Sequence, residues 1–146
     1  MIGWVLSDCG LDPTVMNGAV MKNFVSPDAL FASALVGKSD VFVSEVDESD
    51  GSIANYNPHV AVINNIALDH KTMDELRTLF GGFADRAEHV VLNLDNDETL
   101  LLTKRFPKAV TYSLSDAAAD FFADEIVPGP TSISFRLLDQ TGGASL

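Results

Sequence analysis

The sequence contains a single cysteine, so no disulfide bond can form within the chain. It has no apolar run close to the roughly 20 residues that span a bilayer, and its first residues lack a basic leader. We therefore expect a cytoplasmic protein without a membrane-spanning segment. Cys9 has Asp8 and Gly10 as neighbours. Neither is a cation that would stabilise a thiolate, so we expect a packed, unreactive side chain.

Positive charge is scarce, because 9 lysine and arginine residues face 21 aspartate and glutamate residues and the net charge is -12. Such a surface repels the phosphates of nucleic acids and of anionic lipids, so neither is expected as a partner. An anionic nucleotide ligand would need a metal ion or a local cationic pocket. The 146 residues are 47% hydrophobic, which suits one folded domain.

A phosphate-binding loop with the G-x-x-x-x-G-K-[ST] pattern is also absent. Only Gly37-Lys38 gives a Gly-Lys pair, and Ala32 stands where the pattern needs its first glycine, so we interpret the pair as a turn. The surrounding residues allow two structures. Ser26-Pro27-Asp28 is a good helix start, whereas residues 31–36 and 37–40 fit one arm and the turn of a β-hairpin, which we favour slightly.

Apolar strands alternate with amphipathic helices along most of the chain. We expect strands at 14–16, 40–45, 59–65, 89–94 and 110–114, and helices at 1–9, from Thr72 and from Asp97. Strand 59–65 is nearly continuously apolar, which is typical of a strand that is covered on both faces. This alternation predicts an α/β fold with a mostly parallel sheet flanked by helices.

The tail has a different pattern. Residues 121–127 and 132–138 lie on either side of Pro128-Gly129-Pro130 and predict a small antiparallel β element near the C-terminus. The alternation of polar and apolar residues in 132–138 predicts that one face of this pair is wet.

Two polar segments follow predicted strands. Residues 44–51 carry four carboxylates within six positions, those of Glu45, Asp47, Glu48 and Asp50. Carboxylates this close repel one another, so the segment is either a solvated acidic loop or a site for a divalent cation.

The second polar segment, residues 64–70, ends in His70 directly before a predicted helix. The carboxyl ends of parallel strands meet at one edge of a sheet, so we expect Glu45 and His70 to face a common site. A carboxylate and a neutral imidazole can share Mg²⁺ or Mn²⁺, although histidine is an uncommon magnesium ligand. Taken alone, a histidine at such a position is more often a capping or packing residue than a metal ligand.

Four segments resemble, in the same order, those of the Mur ligase central domain. SEVDESDGS (44–52) and INNIALDH (63–70) resemble the pair EADESD and TNIEADH of that family. The resemblance spans roughly residues 1–138. GLDPTVMNGAV (10–20) is similar to the segment after the phosphate loop, and VVLNLDNDE (90–98) to the strand and turn that read NxDD. EVDESD resembles the alanine-adding members and the murein-peptide recycling ligase. This chain has ALDH where the family has EADH, so other members of the family, including cyanophycin-synthetase-like proteins, remain alternatives.

The resemblance implies an ATP-dependent amide ligase that uses Mg²⁺ or Mn²⁺, with UDP-N-acetylmuramate and L-alanine as substrates and an acyl phosphate as intermediate. By position, Glu45 matches the metal-binding glutamate of the family, and His70 matches a catalytic histidine that holds a second metal ion. Asn65 matches an asparagine near the muramyl substrate, and Asn17 and Gly18 match a turn that borders the sugar-nucleotide site.

The resemblance also implies that residues 1–146 are part of a central ATP-binding domain. The phosphate loop, the adenine-contacting segment, the N-terminal UDP-binding domain and the C-terminal domain would lie outside this chain, so cofactor-binding residues stay unassigned. We expect the isolated chain to be inactive and to self-associate through an exposed sheet edge. The alternative is a non-catalytic α/β module that binds a metal or a partner through its acidic loop.

Overall fold

The computed structural model describes residues 1–142. The chain divides into two compact units, Met1–Val46 and Asp47–Leu146. Within residues 1–142, no helix is long and apolar enough to cross a membrane. The first unit contains helix α1 and a three-stranded sheet in the order β2-β1-β3. Its elements are α1 (Ile2–Asp8), β1 (Thr14–Met16), a 3-10 helix (Lys22–Phe24), β2 (Ala34–Leu35) and β3 (Phe42–Ser44).

Helix α1 forms where the sequence predicts it and ends at Asp8, with Cys9 as the C-cap. Gly10 follows the cap, and its φ of 79° is the left-handed conformation that glycine favours. Its only buried residue is Gly3, whereas Ile2 and Val5 are each 49% exposed. A Cβ atom on Gly3 would lie 2.6 Å from Val15 Cγ2, so the missing side chain lets the helix approach β1 closely.

The expected packing of Cys9 is wrong. This residue is the C-cap of α1 and is exposed, because the buried side of this short helix is formed by Gly3 and not by the predicted apolar stripe.

Both structures considered for residues 24–40 need correction. Strand β2 pairs antiparallel with β1, and β3 pairs with β1 in parallel, so β2 and β3 do not form a hairpin. Ser26 does not begin a helix. It lies in a turn and forms an isolated antiparallel β-bridge with Ala29. Gly37 and Lys38 do not form the expected hydrogen-bonded turn but lie in the irregular connection between β2 and β3. Gly37 N–H donates to Thr14 Oγ1 (3.1 Å) and Lys38 N–H to Asp12 Oδ2 (3.2 Å), which ties this segment to the start of β1.

The second unit contains a five-stranded sheet in the order β4-β5-β6-β7-β8. Strands β4 to β7 are parallel, and β7 and β8 form an antiparallel pair. This arrangement confirms the predicted fold class. The elements are β4 (Val60–Ile63), α2 (Met73–Asp85), β5 (His89–Asn93), α3 (Asp97–Leu102), β6 (Val110–Ser113), β7 (Phe121–Pro128) and β8 (Ile133–Asp139), with a 3-10 helix at Ser52–Asn55.

One face of β4 and β5 forms the core of this unit. Ala61 pairs in register with Val90 and Ile63 with Leu92, and all four are buried, as is Leu76 of α2. The expectation that both faces of β4 are covered is wrong. Its burial alternates along the strand, which is the pattern of a strand packed on one face within its unit.

The predicted wet and dry faces of the C-terminal pair are not observed either. Every residue of β8 is exposed, including Ile133 at 59% and Phe135 at 52%. Within residues 47–142, β8 is an edge strand that pairs only with β7, and the exposure of residues on both of its faces shows that neither face is packed.

The expectation that β3 and β4 share one sheet is also wrong. Glu45 follows β3 of the three-stranded sheet, whereas His70 follows β4 of the five-stranded sheet. Each of these strands is an edge strand of its own sheet, because β1 is the only partner of β3 and β5 the only partner of β4 among residues 1–142.

Candidate functional site

In the first unit, the structure brings together three of the residues that the sequence singled out. Gly18 N–H donates to Glu45 Oε2 at 2.8 Å, and Glu45 N–H extends the β1–β3 ladder by donating to Met16 O at 3.0 Å. Asn17 Nδ2 donates to Ala19 O at 2.9 Å and shapes the turn that presents the Gly18 amide. The Glu45 carboxylate is therefore oriented at the carboxyl end of β3, and this bond does not use its Oε1 atom.

Position 18 also favours glycine on steric grounds. A Cβ atom there would lie 3.2 Å from Glu45 Oε2, which is closer than ordinary van der Waals contact. A larger residue would push the carboxylate away, so the Asn-Gly turn and the glutamate act as one structural unit.

The acidic loop of the second unit is held by its own carboxylates. Asp47 Oδ1 accepts the Ser49 N–H and Asp50 Oδ1 accepts the Ser52 N–H, both at 2.7 Å. The hydrogen bonds from Ser49 and Ser52 are the main causes that lower the pKa values of these carboxyl groups, and nearby His70 is a minor further cause at Asp47. Asp47 and Asp50 thus order the loop, and His70 lies within electrostatic reach of Asp47.

His70 itself is accessible to ligands. Its Nε2 atom lies 3.5 Å from Asp69 Oδ1, and the two side chains are 71% and 63% exposed. It precedes Thr72, the N-cap of α2, by two residues. Thr72, and not His70, caps the helix, and the exposed imidazole has little packing around it. The structure therefore gives little support to a capping or packing role for His70.

A polar network that we did not predict lies at the carboxyl ends of β4, β5 and β6. Tyr112 Oη donates to Asn64 Oδ1 (2.6 Å), Asn93 Nδ2 donates to Asn64 O (3.0 Å), and Asn64 Nδ2 donates to Asn65 Oδ1 (3.3 Å). Burial raises the pKa of Tyr112, and the negative charge of Asp95 raises it further. Of this network the sequence singled out Asn65 alone.

Asn96 connects the loop after β4 to helix α3. Its Oδ1 atom caps the helix by accepting the Thr99 N–H (3.1 Å) and also accepts the Ile66 N–H (3.2 Å). Asn96 Nδ2 donates back to Ile66 O at 3.4 Å. The Asn96 side chain therefore holds the loop that carries Asn65 as well as capping the helix. From the sequence, only the capping of the helix was expected.

Asp95 organises the loop after β6. Its carboxylate accepts hydrogen bonds from the hydroxyls of Ser113 and Ser115 and from the Leu114 N–H (2.7 Å). Burial by itself would raise the pKa of Asp95, but the bonds from Ser113, Ser115 and Leu114 outweigh it and lower the pKa. The signal that would have found Asn93, Asp95 and Tyr112 is their position, at or directly beyond the carboxyl end of a parallel strand.

A shallow groove of about 480 Å³ lies beside the first turns of α2, next in sequence to His70. It is lined by Gly51, Lys71, Asp74, Glu75, Thr78 and Leu79. Its charged lining residues are Lys71, Asp74 and Glu75, so one positive side chain lies beside two carboxylates.

Polar side chains thus follow the carboxyl ends of strands in both units, which is the edge where open α/β sheets bind ligands. The fold is therefore that of an α/β domain with polar side chains at this edge. The family model of the Mur ligase middle domain matches residues 1–145, and the chain belongs to this family.

Relatives and solved structures agree with this assignment. The UDP-N-acetylmuramate–L-alanine ligase of Thermosynechococcus vestitus is 39% identical over 133 residues, which are 86% of this chain and 26% of that protein. The ligase of the same name from Gloeobacter violaceus is 34% identical over 96% of this chain and 30% of its own length. The chain therefore spans less than a third of these relatives.

Two crystal structures show the same fold. The UDP-N-acetylmuramate-alanine ligase of Thermotoga maritima superposes with a TM-score of 0.77 at 18% identity, covering 96% of this chain and 31% of that one. The murein peptide ligase of Psychrobacter arcticus gives a TM-score of 0.66 at 19% identity, over 94% of this chain and 36% of that one.

Proposed function

We propose that this chain is the middle domain of a cytoplasmic, ATP-dependent ligase of peptidoglycan precursor synthesis, which joins L-alanine to UDP-N-acetylmuramate through an acyl phosphate. The observation that carries the proposal is 39% identity, over 86% of the chain, to a ligase of that name. The complete activity depends on further segments, because the chain spans 26% of that relative. The isolated chain is therefore expected not to turn over ATP.

We propose that Glu45 and His70 each contribute a ligand to a bound Mg²⁺ or Mn²⁺ ion. Within residues 1–142, no group of three or more His, Cys, Asp or Glu side chains is arranged to hold a metal ion. This fits magnesium, which is usually held by one or two side chains together with waters and substrate phosphates. The fit also rests on the orientation of the Glu45 carboxylate by Gly18 and on the exposure of His70. When bound, the ion offsets the negative charge of the transferring phosphoryl group.

We further propose that Asn65, Asn17 and Gly18 contact the muramyl and sugar-nucleotide parts of the substrate. Asn65 supports this role because it lies exposed at the carboxyl end of β4, within a network of amides that both donate and accept hydrogen bonds. Asn17 and Gly18 form a turn in which the Gly18 amide is already bonded to Glu45, so they position the carboxylate as well.

The test is an assay of the full-length protein that contains this chain. With ATP, Mg²⁺, UDP-N-acetylmuramate and L-alanine, mass spectrometry should detect UDP-N-acetylmuramoyl-L-alanine and one ADP per product. Glu45→Gln and His70→Ala should each lower kcat by orders of magnitude, whereas Glu48→Gln, in the same loop, serves as the matched control. A protein that couples only a preformed peptide to UDP-N-acetylmuramate would show instead that it is the recycling ligase. Absence of any ATP-dependent coupling would favour the non-catalytic module.

A further inference from the structure

Two of the three histidines of the chain lie side by side, at the edge of the five-stranded sheet opposite to Asn64 and Asn93. His59 directly precedes β4 and His89 is the first residue of β5. The His89 N–H donates to the His59 carbonyl at 2.9 Å, which fixes the two backbones relative to each other. Their rings stand edge to face, with centroids 5.1 Å apart and planes at 85°.

Glu88 determines which nitrogen of His59 is available. His59 Nδ1 lies 2.6 Å from Glu88 Oε2. A carboxylate only accepts hydrogen bonds, so Nδ1 carries the hydrogen in this contact, and in the neutral imidazole Nε2 keeps its lone pair. A histidine that donates one ring N–H to a carboxylate and offers its other nitrogen is the usual arrangement of a metal ligand, because the carboxylate sets the tautomer and raises the basicity of the ring.

The spacing of the two rings suits one ion. A zinc–nitrogen bond of about 2.0–2.1 Å puts the ring centroid about 3.2 Å from the metal, and two such ligands at a tetrahedral angle have centroids about 5 Å apart. The observed separation is 5.1 Å. His59 and Glu88 are about 70% exposed, so water can complete the coordination, and the net charge of -12 attracts cations.

We propose that His59 and His89 form a surface site for a transition-metal ion of the kind that imidazole prefers, such as Zn²⁺ or Ni²⁺, with Glu88 orienting His59. The site has two protein ligands, which is consistent with the absence of a three-residue metal cluster among the described residues. It lies at the amino ends of its strands, uses neither Glu45 nor His70, and does not depend on the proposed ligase function.

The three histidines allow a direct test on the chain itself. We expect Zn²⁺, added in excess Mg²⁺ at neutral pH, to shift the imidazole NMR signals of His59 and His89 together, with saturation at one equivalent. The signal of His70 is followed separately, because His70 is itself a proposed metal ligand. His59→Ala and His89→Ala should each weaken Zn²⁺ binding at this site about tenfold or more, the control Asp28→Asn should not change it, and Glu88→Gln should weaken it about 10-fold to 100-fold.

Amide spectra of each variant without metal establish that it is folded, which the exposure of His59 and Glu88 favours. His59→Gln provides a second variant that keeps a polar group at that position. The proposal is overturned if the His59 and His89 signals shift with different affinities, or if folded His59→Ala and His59→Gln leave the Zn²⁺-induced shift of His89 as it is in the unchanged chain.

Discussion

Gly37 has no room for a side chain. A Cβ atom there would lie 2.1 Å from Asp12 O and 2.4 Å from Pro13 C, and these backbone atoms cannot rotate away. The close approach lets the 37–38 segment bond to the start of β1, and this contact belongs to the unit that also orients Glu45.

Gly37→Ala should destabilise the Met1–Val46 unit by about 1–3 kcal/mol, the usual cost of forcing extra volume into a packed site. Urea denaturation followed by the fluorescence of Trp4 would measure this change. Gly82→Ala is the matched control, because its added Cβ atom would meet Arg86 Nη1 at an ordinary 3.5 Å. Equal midpoints for Gly37→Ala and the unchanged chain would contradict the close approach.

The hydrogen-bonded carboxyl group of Asp95 should make the stability of the fold depend on pH. Its pKa is lower in the folded chain than the ordinary value of 3.8, so its stabilising contribution is present above that value and is lost as the pH falls through the lower folded pKa. Stability measured between about pH 5 and pH 3 should therefore fall less steeply in Asp95→Asn. Identical slopes for the two proteins would show that the bonds from Ser113, Ser115 and Leu114 do not favour the charged form.

Helix α2 shows which elements can be predicted from sequence. Thr72 and Glu75 form the predicted capping box, in which Glu75 Oε2 accepts the Thr72 N–H at 2.8 Å and Thr72 Oγ1 accepts the Glu75 N–H at 3.4 Å. Caps and apolar periodicity involve residues a few positions apart, so local sequence specifies them.

Thr72→Ala should cost about 1 kcal/mol, the typical contribution of an N-cap side chain. The matched control is Thr78→Ala in the same helix, where the exposed hydroxyl bonds only to Asp74 O and alanine is the better helix former. Chemical denaturation would compare the two variants. An equal loss of stability in both would contradict a specific role of the cap.

Strand pairing and exposure were harder to predict. Strand β2 has two residues and β1 has three, so their pairing depends on distant contacts such as that between Asp12 and Lys38. Asn64 and Asn93 lie in segments that resemble the family, but nothing in the sequence links them to Tyr112, and only the order of β4, β5 and β6 brings the three together. Glu45 was singled out by its place in the acidic run and by the family resemblance, whereas Gly18 was singled out by the resemblance alone.

The chain as a whole combines unpaired edges of its β-sheets with a large negative net charge. Strands β3, β4 and β8 are edge strands among residues 1–142, and Phe42, Val60 and Phe135 on them are 59%, 42% and 52% exposed. Edge strands with apolar side chains invite pairing with another chain, whereas a net charge of -12 opposes it.

We therefore expect the isolated chain to self-associate, and to do so more strongly when salt screens its charge. Sedimentation velocity at low and high ionic strength should show dimers or larger species that increase with both protein and salt concentration. A monomer under all of these conditions would count against exposed edges as a source of association.

The proposed function depends most on the binding of divalent ions by Glu45 and by His70. Mn²⁺ binding to the chain, followed by electron paramagnetic resonance, tests this with Glu45→Gln, His70→Ala and, as the control, Glu48→Gln. We predict that Glu45→Gln and His70→Ala each weaken Mn²⁺ binding and that Glu48→Gln binds Mn²⁺ normally. Unchanged binding in Glu45→Gln or in His70→Ala, or an equal loss in Glu48→Gln, would contradict the proposed metal-binding role.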